Sequence, residues 1–321
     1  MKKEWLEDEC LSNKSDLAHR IESYFEFLNK NQVDIHSFML LKGNKILAER
    51  YFPPVTRETP QRMYSIAKSM TSLAIGILIR DGKINIDDKI CTYFPDKLPK
   101  ESSHPWIEAM TIKHMLTMST AHKKTTYKID GGDDWVKSFF VVEPDYPPGT
   151  VFSYDTSSSH VLAALVERVS GISLTDFLKK NLLIEIGANQ GVSWLTDPMG
   201  VSDGGSGFYC TTRDLAKIAY ICNHYGNFFG KQLLDENYMK QATGCQISTS
   251  GQASEEEQQG YGYQFWRVKN NGFSLYGMGG QLAVCFPQKD LIYITTASAQ
   301  GGLPQTTRLY EAFWNYLYPY L

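Results

Sequence analysis

The spacing of apolar and polar residues predicts strands near both ends of the chain and helices between them. A helical period runs through 15–29, and two alternating stretches, 37–41 and 45–51, flank a Lys-Gly-Asn turn and predict a β-hairpin. Helical periods then dominate as far as about residue 169, clearest at 62–79, 111–117 and 158–166. The strand pattern returns at 262–268, 273–276, 282–286 and 291–296, and a last amphipathic helix is predicted over 306–318.

This order predicts an α+β fold, in which an antiparallel sheet is built from both termini and flanked by helices. The mainly helical segment would be an inserted domain. We therefore expect 1–62 and 208–321 to form the sheet domain and 63–207 to form the inserted one. A crevice between two such units is the expected place for a ligand. The polar stretch 122–134 is a long loop of the kind that is often functional or mobile.

Composition narrows the classes of partner. The 321 residues are 42% hydrophobic and carry a net charge of -3. Lys and Arg are scattered, which argues against nucleic acid or anionic lipid as a partner. The N-terminus is acidic and lacks the apolar core of a signal peptide, and no apolar run reaches membrane-spanning length, so a cytoplasmic protein is expected. No Cys-x-x-Cys pair occurs, which predicts reduced, mostly buried thiols at Cys10, Cys91, Cys210, Cys222, Cys245 and Cys285.

The predicted helix over 62–79 places a nucleophile beside a base. Ser65 and Lys68 are three residues apart, so their side chains share a helix face. The first-turn N–H groups and the helix dipole favour an oxyanion forming at Ser65. The dipole and burial would also lower the pKa of Lys68 from its usual ~10.4. The competing interpretation is a helix N-terminus that Ser65 caps while Lys68 points to water.

Two further motifs carry potential chemistry. Tyr154 and Thr156 project on the same side of an extended segment, and a phenol there could relay a proton if a neighbouring ammonium lowered its pKa below ~10. Packing and helix capping would explain the same residues. In the segment 276–281, glycines at the junction of two strands allow close approach of a ligand, and a strand-edge N–H could help to bind an oxyanion. A simple glycine-rich bend is the alternative.

In this order the three motifs resemble the serine hydrolases of the class C β-lactamase and penicillin-binding-protein type. Ser65-Ile66-Ala67-Lys68 matches the Ser-x-x-Lys motif, Tyr154-Asp155-Thr156 the Tyr-x-Asn motif and Met278-Gly279-Gly280 the His- or Lys-x-Gly motif. The segments 148–154, 204–207 and 212–217 extend the likeness, which covers most of the chain from Tyr51 onward. It implies a β-lactamase/transpeptidase-like fold and an acyl-enzyme mechanism.

The resemblance also implies roles for individual residues. Ser65 would attack an ester or amide carbonyl, and Lys68 and Tyr154 would share the work of base and proton carrier, in an order that stays open. The N–H groups of Ser65 and Gln281 would bind the oxyanion. Thr156 would position Lys68 or contact the substrate. The other motif residues would contact the substrate: Met278, Gly279 and Gly280.

Two departures from the motifs bear on substrate. Thr156 replaces an amide-bearing Asn, and Met278 stands where β-lactamases place a cation for the substrate carboxylate. The chain therefore looks closer to the esterases, amidases and 6-aminohexanoate-dimer hydrolases of the family, acting on a small ester, amide or peptide-like substrate. The alternative from another class is a penicillin-binding or sensor protein of the same fold that is acylated without turnover. The sequence does not determine the oligomeric state.

Other polar and aromatic residues have weaker signals. Trp135, Trp194 and Trp266 are candidates for lining a substrate pocket, although core packing accounts for most tryptophans. Asp197 and Asp203 lie in turn-rich sequence and are expected to shape the backbone. Gly-x-Ser-x-Gly is absent, which disfavours a Ser-His-Asp enzyme, and His114, His160 and His224 are expected to be structural. Neither a His-Glu-x-x-His motif nor a cluster of metal ligands occurs, so no metal and no cofactor are expected.

Overall fold

The computed structural model describes residues 5–8, 15–188 and 191–321, so the acidic segment at the N-terminus is mostly outside it and Cys10 entirely so. The strands are β1 (Glu7–Asp8), β2 (Ile35–Lys42), β3 (Lys45–Tyr51), β4 (Gln61–Tyr64), β5 (Ser193–Trp194), β6 (Phe208–Cys210), β7 (Asn227–Phe228), β8 (Lys231–Gln232), β9 (Trp266–Arg267), β10 (Phe273–Gly277), β11 (Gln281–Phe286) and β12 (Leu291–Ala297).

The α-helices among the described residues vary from one turn to four. They are α1 (Ser15–Lys30), α2 (Ile66–Arg80), α3 (Pro105–Ala109), α4 (Ile112–Leu116), α5 (Tyr127–Asp130), α6 (Trp135–Val141), α7 (Thr156–Ser170), α8 (Leu174–Leu178), α9 (Ile184–Ile186), α10 (Thr212–Asn223), α11 (Glu236–Thr243) and α12 (Gly302–Ala312). None of the helices that the structure describes has the length and apolarity to cross a membrane.

The main sheet joins both ends of the chain, as the sequence predicts. Its strand order is β1-β3-β2-β12-β11-β10-β9. The pairs from β3 to β9 are antiparallel, and only β1 runs parallel to its neighbour β3. The N-terminal hairpin therefore pairs directly with the last strand of the C-terminal meander, which makes one continuous surface on which helices can pack.

Alternation along the central strands divides the core into two layers. In β2, Phe38 and Leu40 join the cluster beneath α1 and α12, whereas Met39 and Leu41 join the larger cluster that includes α2 and α10. Successive side chains of a strand point to opposite faces, so one uninterrupted apolar run supplies both layers. Tyr293 of β12 anchors the first layer, where its ring stacks on Phe313 at 4.3 Å between centroids.

The prediction of a helix over 62–79 is wrong for its first turn. Gln61–Tyr64 is a strand, β4, which pairs with β6, and the helix α2 begins only at Ile66. Tyr64 has a φ of 47°, and this left-handed residue turns the chain from the strand into the helix. Helix α2 is buried from Ile66 through Leu78 and not only along one stripe, because it packs against several elements, among them α7, α8, α11 and β10.

Two C-terminal boundaries also differ from prediction. Of the stretch 262–268, only Trp266–Arg267 is a strand. Backbone N–H groups before it are bound elsewhere: Tyr263 donates to Ala242 at 2.9 Å and Gln264 to Leu116 at 2.9 Å. The last helix begins at Gly302, and after Ala312 it continues as a wider turn over Phe313–Leu317. Long-range backbone partners, which no local pattern encodes, set these limits.

The segment 63–207 contains helices α2 to α9 and the short strand β5. Strands β4 and β6, which lie at its two ends, pair with one another in a small three-stranded sheet, β4-β6-β5, so the two ends of the segment meet at one place. The division into domains at 62/63 and 207/208 stays a prediction.

Gly277, at the end of β10, lies against the backbone that leads to Ser65. A Cβ added to Gly277 would lie 2.2 Å from the Met63 carbonyl oxygen. We expect Gly277→Ala to lower the free energy of unfolding by about 1–3 kcal/mol, because neither backbone can move away freely. Chemical denaturation measures the change. The matched control is Gly251→Ala, where nothing lies within 4 Å of the added atom. Equal stability of the two variants would contradict this packing.

Candidate active site

Ser65 occupies the turn between β4 and α2, and its hydroxyl is not used to cap the helix. It is the residue before the first helical position, with no side-chain capping hydrogen bond. The Lys68 backbone N–H donates to the Ser65 carbonyl at 3.0 Å, which brings the two side chains to the same side of the first turn. The competing interpretation, in which Ser65 is a cap and Lys68 points to water, is therefore wrong.

Lys68 is buried, with 1% of its surface exposed, and its ammonium faces neutral oxygens. Its Nζ donates to the Gly205 carbonyl at 2.6 Å, to the Ser65 hydroxyl at 3.2 Å and to the Thr156 hydroxyl at 3.5 Å. Among the described residues it forms no ion pair. Burial lowers the pKa of Lys68 to about 8, although the charges of Asp203 and Asp155 act in the opposite direction. The expected downward shift is thus present.

Tyr154 is fixed by the residue that follows it. Asp155 caps α7 by accepting from the backbone N–H groups of Ser157 at 2.7 Å and Ser158 at 3.0 Å. This cap holds the extended segment in place and turns the Tyr154 ring towards Lys68, whose Nζ lies 5.1 Å from the ring centroid. The Tyr154 phenol also lies near enough to the Ser65 side chain for Ser65 to lower the pKa of the phenol.

The pKa of Tyr154 moves opposite to the sequence-based expectation. Burial raises it above its usual value of 10, and the contacts with Ser65 and Trp266 offset this only in part. Aromatic rings enclose the phenol, with centroid distances of 5.5 Å to Trp266 and 6.2 Å to Tyr261. Desolvation penalises a phenolate more than the nearby Lys68 favours it, so Tyr154 stays protonated at neutral pH.

Gly205 is a residue of this site that the sequence-based reasoning missed. Its carbonyl accepts the shortest hydrogen bond of Lys68, and its N–H donates to Asp203 Oδ1 at 3.2 Å. A Cβ added there would lie 2.3 Å from Thr156 Cγ2, so only glycine allows this approach. The glycine-rich segment 204–207 was the sequence signal for this residue. Its contact with Thr156, 49 positions earlier in the chain, is evident only in the three-dimensional structure.

The segment 278–280 forms the tight turn between β10 and β11. Gly279 and Gly280 have φ values of 78° and 99°, conformations that favour glycine. The Gln281 amide fastens the turn by donating to the carbonyls of Met278 at 3.1 Å and Ala297 at 2.5 Å. Because Gly277 contacts Met63, the turn lies beside the backbone that leads to Ser65. The roles of Gln281 in oxyanion binding and of Met278, Gly279 and Gly280 in substrate binding stay predictions.

The three candidate tryptophans separate into different environments. Trp266 packs between Tyr154 and a cavity of about 300 Å³ whose walls include Tyr276, Tyr310 and Trp314. Trp135 stacks on Tyr127 at 4.1 Å, and Trp194 packs on Phe208 at 4.7 Å, each between ring centroids. Among these candidates, Trp266 is therefore the one that contacts the cluster of Ser65, Lys68 and Tyr154.

The acidic and imidazole candidates are structural, as predicted. Asp197 accepts from the backbone N–H groups of Met199 and Val201, and also pairs with the buried His160 at 3.0 Å. Asp203 accepts from two backbone N–H groups of the glycine-rich turn. His114 completes the N-terminal cap of α4, and His224 bonds to the Tyr220 carbonyl at 2.8 Å.

The cysteines among the described residues are all free thiols. Cys210, Cys222 and Cys285 are buried, Cys91 is half-buried and Cys245 is exposed. The prediction of reduced packing residues thus holds for three of them.

The sheet with its helical segment and the serine-lysine-tyrosine cluster define a fold of the β-lactamase/transpeptidase type. The family model named Beta-lactamase matches residues 26–312, and this chain belongs to that family. The curated 6-aminohexanoate-dimer hydrolase of Paenarthrobacter ureafaciens is 22% identical in an alignment over 303 residues. The alignment covers 88% of this chain and 76% of that protein.

Solved structures agree with this fold. A putative 6-aminohexanoate-dimer hydrolase from Bacillus anthracis superposes with a TM-score of 0.75 at 19% identity, over 90% of this chain and 80% of the other. The hydrolase EstCE1, described as having promiscuous acyltransferase activity, gives a TM-score of 0.74 at 15% identity, over 94% of this chain and 99% of the other. The relatives named here thus include hydrolases.

The burial of Lys68 should make the stability of the protein depend on pH. The pKa of Lys68 is lower in the folded protein, about 8, than the ordinary 10.5 of an unfolded chain. Below pH 8 both states are protonated and the cost of burying the charge is constant. Between pH 8 and 10.5 the unfolded state holds more protons, so this cost falls as pH rises. We expect the free energy of unfolding of wild type to rise by a few kcal/mol relative to that of Lys68→Met between pH 7 and pH 10.

Denaturant unfolding of both proteins at each pH measures this difference. The control is Lys137→Met, which replaces an exposed lysine. The difference in free energy of unfolding between this variant and wild type should not change over the same pH range. A parallel pH dependence of wild type and Lys68→Met would mean that Lys68 is not desolvated.

Proposed function

We propose that this protein is a serine hydrolase that cleaves an ester or amide through an acyl-enzyme on Ser65. The observation that carries the proposal is the buried Lys68 ammonium, which has no ion-pair partner among the described residues and lies 3.2 Å from the Ser65 hydroxyl. A buried charge without a carboxylate destabilises a fold, and perturbed lysines of this kind are typical of sites that use the neutral amine.

Lys68 takes the first proton in this proposal. With a pKa of about 8, a minor but useful fraction of Lys68 is neutral at pH 7 and can accept the hydroxyl proton of Ser65. Tyr154 is a poor candidate for this step, because burial raises its pKa above the ordinary range and keeps the phenol protonated. The contrast between the two groups favours the lysine, a question that the motifs alone left open.

Tyr154 then carries a proton to the leaving group. Its proximity to Ser65 puts the phenol near the bond that breaks, where it can give its proton to the departing oxygen or nitrogen. The Lys68 ammonium, 5.1 Å from the ring centroid, restores that proton. Water enters after the leaving group departs, and the same two residues deprotonate it to release the acid.

The N–H groups of Ser65 and Gln281 stabilise the tetrahedral oxyanion. Ser65 lies at the start of α2, where first-turn N–H groups have no intrahelical partner. Each such donor contributes about 10²–10³ to the rate in other enzymes. The left-handed Tyr64 and the close contact between Gly277 and Met63 would fix the spacing of the two donors.

The substrate is a small ester or amide, not specifically a β-lactam. Met278 offers no charge for the carboxylate of a β-lactam, and 49% of its surface is exposed. The relatives named as 6-aminohexanoate-dimer hydrolases and the hydrolase EstCE1 agree with ester or amide cleavage. The second candidate, acylation without turnover, is distinguished by the experiment below.

Ser65→Ala should lower kcat/KM for 4-nitrophenyl esters by at least about 10³-fold, because no other group can form the acyl-enzyme. D-alanyl peptides and nitrocefin complete the substrate panel. A fluorophosphonate should label wild type at the peptide that contains Ser65. The control is Ser250→Ala, an exposed serine that should not alter either result. Labelling without turnover of any substrate would favour the acylation-only protein, and turnover by Ser65→Ala would refute the proposed nucleophile.

The kcat/KM for a neutral ester should rise with pH and reach a plateau above an inflection near pH 8, since the reactive form contains neutral Lys68. Initial rates between pH 6 and 9.5, corrected for spontaneous hydrolysis, give the profile. Lys68→Met should lose most activity together with this inflection. An inflection near 6.5 that survives in Lys68→Met would point to a histidine base.

A further inference from the structure

A second cavity, of about 340 Å³, lies next to the candidate site. Its walls include Tyr64, the residue before the nucleophile, and Gln281, the proposed second oxyanion donor. The rest of its lining comes from the ends of β2, β4 and β12, from Val55 in the connection after β3, and from the turn after β12, which includes Ser298 and Gln300. It shares no lining residue with the aromatic cavity beside Trp266.

The charge in this cavity is of one sign. Arg62 lines it together with the neutral or basic residue His36, and its lining contains no aspartate or glutamate. The Arg62 guanidinium donates from Nε and Nη2 to the carbonyl and hydroxyl of Ser206, at 3.3 and 3.2 Å. Its Nη1 has no hydrogen-bond partner among the described residues. A guanidinium has five N–H donors in a planar fork, so Arg62 can still bind an anion.

Arg62 differs in this respect from most arginines of the chain. Within the part of the chain that the structure describes, only Arg62 and Arg267 have no carboxylate within ion-pair distance. Arg267 instead donates to the Thr243 carbonyl at 2.8 Å. Arg62 therefore combines an unneutralised charge with an open cavity.

The position of Arg62 is coupled to that of the base. Arg62 binds Ser206 and Lys68 binds the adjacent Gly205, so one turn of backbone holds both cations. The Arg62 guanidinium lies 4.8 Å from the centroid of the Tyr64 ring. This stacking presents the flat cation near the nucleophile, three residues before it in the chain.

The cavity lies on the side that would receive the acyl part of a substrate. Tyr154, the proposed proton donor to the leaving group, contacts Trp266 and hence the aromatic cavity. The leaving group then lies towards that aromatic side. The acyl chain of a carbonyl held by Ser65 and Gln281 would then face the cavity that Tyr64, Gln281 and Arg62 line.

We propose that Arg62 and the cavity around it bind an anionic group, such as a carboxylate, at the far end of the acyl portion of the substrate. This inference rests on the proposed hydrolase function and specifies its substrate class: monoesters or monoamides of dicarboxylic acids. It also gives a physical meaning to Met278. The charge that β-lactamases place at that position is absent, and Arg62 supplies a cation from a different strand.

The test compares two esters of the same acyl length, 4-nitrophenyl hydrogen adipate and 4-nitrophenyl hexanoate. Their leaving groups are identical, and the adipate chain is long enough to limit attack of its own carboxylate on the ester. We expect wild type to prefer the adipate by about tenfold or more in kcat/KM, the size of effect typical of a charge-assisted hydrogen bond. Added salt should reduce this preference.

Arg62→Gln should bring the ratio of the two kcat/KM values close to one, whereas Arg62→Lys should retain part of the preference. Arg308→Gln is the matched control, because Arg308 pairs with Glu311 on α12 and 49% of its side chain is exposed. This variant should keep the wild-type ratio. Thermal unfolding of each variant verifies that it folds, and Arg62→Met takes the place of Arg62→Gln if the latter does not fold.

The outcomes separate this inference from the proposed function. Turnover of hexanoate that depends on Ser65, with no preference for adipate in wild type, would overturn the anion site and leave the hydrolase intact. The same holds if Arg62→Gln keeps the preference. Absence of Ser65-dependent turnover of either ester, with no labelling of Ser65, would overturn the hydrolase itself.

Discussion

The burial of one ammonium group among neutral oxygens is the constraint on which the site depends. Lys68 is 1% exposed and is held by the Gly205 carbonyl and the hydroxyls of Ser65 and Thr156. A partner carboxylate would stabilise the charge and keep the amine protonated. Its absence costs stability, which a large core can offset, and it lowers the pKa of the amine.

The surrounding structure keeps this unfavourable arrangement in place. Asp155 caps α7 and fixes Tyr154 and Thr156 on either side of itself. The glycine-rich turn approaches Thr156 so closely that no side chain fits at Gly205. Gly277 likewise lets β10 contact Met63. The helix cap and the close glycine contacts therefore position the side chains of the candidate site, which are Ser65, Lys68, Tyr154 and Thr156. The hydrophobic clusters on the two faces of the sheet make this arrangement rigid.

The two cavities next to the candidate site differ in chemistry. The cavity beside Trp266 has aromatic walls and four glutamates, whereas the cavity beside Tyr64 is lined by Arg62 without any acidic residue. Members of a fold family can retain the reacting groups and change substrate through such walls, because the walls lie on strand ends and connections that tolerate substitution. The change at Met278 is consistent with a substrate different from that of β-lactamases.

The sequence by itself determined the features that depend on local order: the hairpin at 37–51, the C-terminal meander, the sheet made from both ends and the pairing of Ser65 with Lys68 on one helical turn. Periods of 2 and 3.6 and short motif spacings encode these directly. Only the tertiary structure decided that 61–64 is a strand, that Gly205 holds Lys68, that burial raises the pKa of Tyr154, and that Arg62 has no acidic partner within the described part of the chain. Each of these depends on groups that are distant in the chain, and desolvation in particular is a property of the assembled surroundings and not of any residue type.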